Sequence, residues 1–335
     1  MDRFHESIND GIQGVGVVNS SERNKTVVND CCSIYYRNLK YPGILFKDNT
    51  VKKTCNYKAF AYLETRYVQF IQQSGAQALP ILLNKSVKYY ENILNVVNGI
   101  LLPGGGTHAD HSFYKNTTNI ILDIINAKND NNQHFPIMAT CLGMEVLSIL
   151  FSENDNILEP CNNENTISKI ILNEDQHSKM LLDPILKTFI SQMQFENLSI
   201  NDHSVCLTPI NFNKSLLYKK VSIIATAYDN DNITFISMME HKKYPYYMMQ
   251  FHPEKGNFYW NSRKKNIHSY NSTMVSQSLS NFFVNQARKN ANQLKPIDYN
   301  QLLSNFYKAT YCKFDKYEDI IYDYDTSDLN CLNYV

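Results

Sequence analysis

Between Tyr41 and Phe151, short apolar runs alternate with segments of helical period, and this alternation limits the possible folds more than any other feature of the chain. Tyr41–Leu45, Ala78–Leu83, Gly99–Leu102 and Phe135–Ala139 read as strands. Between them, Asn56–Ser74 reads as a helix, with Phe60, Leu63, Tyr67, Phe70 and Ile71 on one face and Gly75 as its stop. Tyr89–Asn98, Thr117–Ala127 and Leu142–Phe151 read as further helices. Strands that are apolar throughout and alternate with helices predict a mostly parallel central sheet with helices on both faces, an α/β fold. Downstream, Ser204–Leu207, Ser222–Tyr228, Ile233–Glu240 and Tyr246–Phe251 read as more strands, and Thr273–Arg288 as a closing helix. The expected domain therefore covers 41–293. Residues 1–40 show no sustained period and read as a poorly ordered extension. Residues 294–335 read as a tail packed on the domain.

Composition removes several function classes. Lys+Arg and Asp+Glu both total 32, so no global field draws the chain to nucleic acid or to an anionic membrane. No apolar run is long enough to span a bilayer. Residues 1–20 hold no apolar stretch of signal-peptide length, so the sequence as it stands predicts a cytosolic protein or a copy without its leader. Asn-x-Ser/Thr triplets occur at Asn19, Asn24, Asn84, Asn116, Asn197, Asn213, Asn232 and Asn271, but an Asn-rich chain produces several by chance. None of the eight cysteines forms a Cys-x-x-Cys pair, so no metal site is expected.

Three short stretches have the residue types that acyl chemistry needs. Ala139-Thr-Cys-Leu-Gly143 sits where a strand meets a helix, the setting of a nucleophile elbow. A sharp turn there lifts Cys141 above the carboxyl ends of the strands, and the helix N-terminus beneath favours a thiolate. The Leu142 N–H would then be one oxyanion donor. The same pattern also suits a buried structural cysteine, although small residues at 139 and 143 favour the elbow. Leu102-Pro-Gly-Gly-Gly106 ends another strand and could offer a second donor from Gly105. In Gln250-Phe-His-Pro-Glu254, His252 and Glu254 share a face of an extended chain, as a base and the carboxylate that orients it must.

Together these motifs resemble the class I glutamine amidotransferase superfamily and, more closely, the γ-glutamyl hydrolase family. The closer likeness rests on Pro136–Glu145, Phe235–Glu240, Tyr244-Pro245, Gln250–Lys255, Trp260 and Phe282–Asn290. The resemblance implies a flavodoxin-like sheet, Cys141 as nucleophile, His252 as general base and then acid, and Glu254 as its orienting residue. It also implies that Glu145 receives the α-amino group of a γ-glutamyl unit and that His203 is a second active-site histidine. The substrate would be a poly-γ-glutamyl folate, with no cofactor, metal, nucleic acid or membrane involved. Homodimers and a lysosomal or secreted location are typical of the family. Ala139 departs from the glycine usual at this elbow, and Phe251 from a tryptophan. The alternatives are a glutaminase or amidotransferase domain, and a catalytically silent binding protein of the same fold.

Overall fold

A computed structural model describes residues 42–45, 47–48, 61–173, 178–293, 309–313 and 318–324. The expected extension at 1–40 lies outside the described residues, as does the start of the helix expected from Asn56. Fourteen strands are described: β1 (Gly43–Leu45), β2 (Lys47–Asp48), β3 (Ala61–Glu64), β4 (Leu79–Ile81), β5 (Ile100–Leu102), β6 (Ile137–Thr140), β7 (Glu159–Ser168), β8 (Ile171–Leu172), β9 (Ser199–Cys206), β10 (Val221–Tyr228), β11 (Thr234–His241), β12 (Tyr246–Met249), β13 (Ala309–Lys313) and β14 (Glu318–Tyr324). The helices that frame the site are α1 (Thr65–Gln72), α2 (Val87–Ile93), α3 (Phe113–Asp130) and α4 (Leu142–Ser152), and α5 (Tyr270–Arg288) closes the fold.

The main sheet has the order β4-β1-β5-β6-β12-β11-β10-β8. Its first five strands pair in parallel, and the last three run antiparallel to their neighbours. The mostly parallel sheet expected from the alternation is therefore present. Burial explains the composition of its strands. Every residue of β5, β6 and β12 is buried, because helices cover both faces and no position is left for a polar side chain. The helix α4 is apolar nearly all round, and all but one of its residues are buried. By contrast, α3 buries one stripe, Thr117, Thr118, Ile121, Leu122 and Ile125, and the Ser112 side chain caps its start by accepting from the Lys115 N–H.

Sequence and structure part at the edges. Residues 61–64, expected within a helix, form β3, which pairs with β2 and β14. Strand edges outside the main sheet impose that extended geometry, which a helical pattern in the sequence does not reveal. The strand expected at Ser204 begins at Ser199 because it pairs with β7, an irregular strand of alternating polar residues. Within the expected tail, β13 and β14 pair with each other, and β14 also pairs with β3.

Candidate active site

The register between β6 and β12 sets up the site. Thr140 lies opposite Met249 in this parallel pair, so Cys141 and Gln250 leave the sheet side by side at its carboxyl edge. The Cys141 N–H donates to the Met249 carbonyl at 2.8 Å, which ties the elbow to β12. Cys141 adopts φ 48°, ψ −112°, outside the ordinary wells of an L-residue. Close packing enforces the turn: a Cβ on Gly143 would lie 2.4 Å from the Leu102 carbonyl oxygen, so the start of α4 touches the backbone of β5. Ala139 fits without exposure between Leu102 and Met248, its register partners on either side.

His252 follows two residues beyond Gln250. Its N–H donates to the Ile200 carbonyl at 2.8 Å, so β9 fixes the turn. Its Nδ1 lies 2.8 Å from Glu254 Oε1 and 3.3 Å from the Tyr67 hydroxyl. The carboxylate accepts, so Nδ1 carries the proton and Nε2 is left as the basic nitrogen. Gly104 separates the two side chains: a Cβ there would lie 2.6 Å from His252 Cε1 and 2.9 Å from Cys141 Cβ. The two side chains therefore both press on a position that only glycine leaves open. The Gly104 N–H donates to the Tyr67 hydroxyl at 2.8 Å, which leaves the half-buried Gly105 as the next backbone donor of that loop.

Electrostatics assign the resting charges. Burial raises the Cys141 thiol well above its usual range, and Glu145 raises it further; Lys255 and a hydrogen bond from the Leu142 N–H act the other way and do not prevail. Loss of solvent thus outweighs the hydrogen bond that the helix start supplies, and the neutral thiol is favoured. Burial and the Lys255 ammonium lower His252, against the opposing pull of Glu254, so the imidazole is neutral and able to accept a proton. Burial would raise Glu254, but His252, Arg66 and Lys255 hold it at about 2, fully ionised. Arg66 Nε stands 3.7 Å from Glu254 Oε1, and Arg66 Nη2 stands 3.1 Å from Glu64. Lys255 itself is buried and pairs with Asp202 at 2.8 Å.

Glu145 lies in the first turn of α4, with Oε1 accepting from Gln250 Nε2 at 2.7 Å. Burial raises its carboxyl to about 7. His203 lies on the strand whose Ile200 carbonyl accepts from the His252 N–H. It sits on β9, where Nδ1 donates to the Val205 carbonyl at 3.0 Å and Nε2 accepts from Asn163 at 3.0 Å. Burial lowers it to about 4, so it is neutral with both ring nitrogens occupied. The structure thus gathers Cys141, Leu142, Glu145, His252 and Glu254, with His203 on β9, the strand that holds the His252 backbone. Sequence reasoning took Tyr67 for a packing residue, passed over Arg66 and gave Lys255 no role of its own. No local pattern marks Tyr67, whose hydroxyl finds its partners only through the fold. Among the described residues, no cluster of His, Cys, Asp and Glu suits a metal ion.

The family model described as peptidase C26 matches residues 43–254. The gamma-glutamyl hydrolase of Rattus norvegicus is 35% identical over 215 residues, covering 64% of this chain and 68% of that protein. The gamma-glutamyl hydrolase of Homo sapiens is 32% identical over 235 residues, covering 70% and 73%. Gamma-glutamyl hydrolase B of Dictyostelium discoideum is 31% identical over 221 residues, covering 65% and 64%.

Proposed function

The chain belongs to the peptidase C26 family, and from that premise we propose that it is a cysteine-type hydrolase cleaving the γ-glutamyl amide bonds of folylpoly-γ-glutamates. The observation that carries the reading is that Cys141 and His252 both lie against Gly104, with His252 held by Glu254 at 2.8 Å. Because the resting thiol is protonated, His252 must take its proton as Cys141 Sγ attacks the γ-carbonyl carbon. The Leu142 and Gly105 N–H groups hold the oxyanion. Collapse breaks the C–N bond, His252 returns the proton to the departing amine, and a γ-glutamyl thioester remains on Cys141. His252 next takes a proton from water, the hydroxide attacks the thioester, and the thiol regains its proton as the glutamyl acid leaves. Glu145, held by Gln250, receives the α-nitrogen of the glutamyl unit and thereby sets the γ-carbonyl over Cys141. His203 braces the substrate side of the cleft through β9.

Substrate choice tests the proposal. An α-linked isomer puts its carbonyl in the wrong place relative to Glu145, and a misplacement of about 1 Å costs roughly 100-fold in rate. Measured together, kcat/KM should be far higher for a γ-linked pentaglutamyl folate than for its α-linked isomer or for free glutamine. Glutamine turned over as fast as the folate would establish a glutaminase instead, and equal rates on the two isomers would remove the role given to Glu145.

A further inference from the structure

Trp260 is the chain's single tryptophan, and it is 77% exposed. One face of its indole is already taken: the His268 ring lies 3.8 Å away with the planes only 5° apart. His268 is itself held, since its Nδ1 donates to the Gly256 carbonyl at 2.7 Å. The segment carrying both rings is pinned along its length. Lys264 Nζ contacts both Asp202 oxygens at 3.1 Å, the Lys265 N–H donates to Asn165 Oδ1 at 2.7 Å, and Asn266 Nδ2 donates to the Tyr259 carbonyl at 2.9 Å. This segment starts at Glu254, the partner of His252, and reaches across to Asp202, the chain neighbour of His203. Tyr259 takes the inward direction, 6% exposed, with the Arg66 guanidinium 4.5 Å over its ring. Tyr259 is extended, φ −120° and ψ 94°, so its neighbour Trp260 points the opposite way, out of the packed interior. The result is a rigid aromatic surface with one open face, beside the exposed basic side chains of Arg263 and Lys265, with Lys264 between them paired to Asp202.

Resting on the hydrolase reading above, we infer that the Trp260–His268 stack is the platform on which the flat aromatic end of the substrate lies. The argument is chemical. A polyglutamyl substrate with an aromatic head group has two parts, a ring with an apolar face and a chain of carboxylates. Stacking an open indole face against such a ring removes apolar surface from water, and a platform already fixed by His268 loses little freedom on binding. The exposed Arg263 and Lys265 side chains add positive charge beside the indole, which attracts the carboxylates.

Because Trp260 is the only tryptophan, its fluorescence reports on this surface alone. Protein carrying Cys141→Ala holds substrate without turnover and can be titrated with pteroyl-γ-pentaglutamate and with γ-pentaglutamate lacking the pteroyl group. Emission should fall saturably with the first, beyond the loss seen for free tryptophan in the same solutions, and should stay level with the second. In the active protein, Trp260→Ala should lower the ratio of kcat/KM for the ring-bearing over the ring-free substrate by about 3- to 10-fold through KM, the size expected of one aromatic stack. Trp260→Phe should restore most of it, which a general loss of folding would not. An unchanged ratio, or quenching no greater than that of free tryptophan, overturns the platform. An emission change that follows protein concentration without ligand also overturns it, by showing that a second copy covers the indole. If the unmodified protein cleaves neither substrate, the hydrolase reading falls and the platform with it. If it cleaves both with a ratio that ignores Trp260, only the platform falls.

Discussion

At the scale of single residues, the site pairs a thiol that resists ionisation with an imidazole that resists protonation. Burial acts on both, and it acts toward neutrality in each case. In the proposed reaction, proton transfer from Cys141 to His252 therefore accompanies attack and does not precede it. Cys141→Ala should lose at least about 10³-fold in kcat with the thermal transition retained, since removing a nucleophile costs several orders of magnitude. The pH profile follows from His252. Its basic form is the working form and its pKa lies below the usual 6.5, so with substrate saturating and Glu145 already covered, the acid limb of kcat should fall below pH 6.5. An acid limb at or above that value would mean that another group is the base. His252→Asn should be nearly as damaging as the loss of Cys141. His203→Asn should matter much less in single-turnover measurements of the chemical step, because both its ring nitrogens already serve Val205 and Asn163. Should His203→Asn prove the worse of the two, the base has been misassigned.

At the scale of elements, two glycines do different work for the same elbow. Gly143 lets α4 begin against β5, and the atom a methyl would strike is a backbone oxygen, which cannot move aside. Gly143→Ala should therefore cost stability, by about 1–3 kcal/mol as overpacking does, together with activity. Gly104 faces side chains instead: His252 Cε1, the Tyr67 hydroxyl at 2.8 Å and Cys141 Cβ. Gly104→Ala should push the reacting groups apart, with kcat down about 100-fold for a smaller loss of thermal stability. Thermal melts and kcat measured on both variants check this, and matching losses in the two would show that the glycines share one role. The elbow and the helix α4 were legible in the sequence, because a strand end, a cysteine and small flanking residues stand together. Residues 61–64 were not, because β3 is extended through its pairing with β2 and β14, and both partners lie elsewhere in the chain.

At the scale of the whole molecule, no helix among the described residues is long and apolar enough to cross a membrane. Surface geometry sorts the glycosylation triplets. Asn84, Asn116, Asn197, Asn213 and Asn232 are exposed, whereas Asn271 is half-buried with its amide donating to Glu196 at 2.7 Å. Expressed through a secretory pathway, the protein should carry glycans among the first five and none at Asn271, as glycopeptide mass spectrometry would show. A fully occupied Asn271 would mean that its contact with Glu196 forms only after modification. By itself the sequence determined the alternating α/β order and the mostly parallel sheet, and it marked Cys141, His252 and Glu254 as candidates, since period, turn residues and short motifs are local properties of a chain. The tertiary structure alone decided that Tyr67, Arg66 and Lys255 surround His252 and Glu254, that His203 is held within its own strand pair, and that burial favours the neutral thiol. Those facts depend on which distant side chains share a space closed to water, and burial is a property of the folded chain, not of any segment of it.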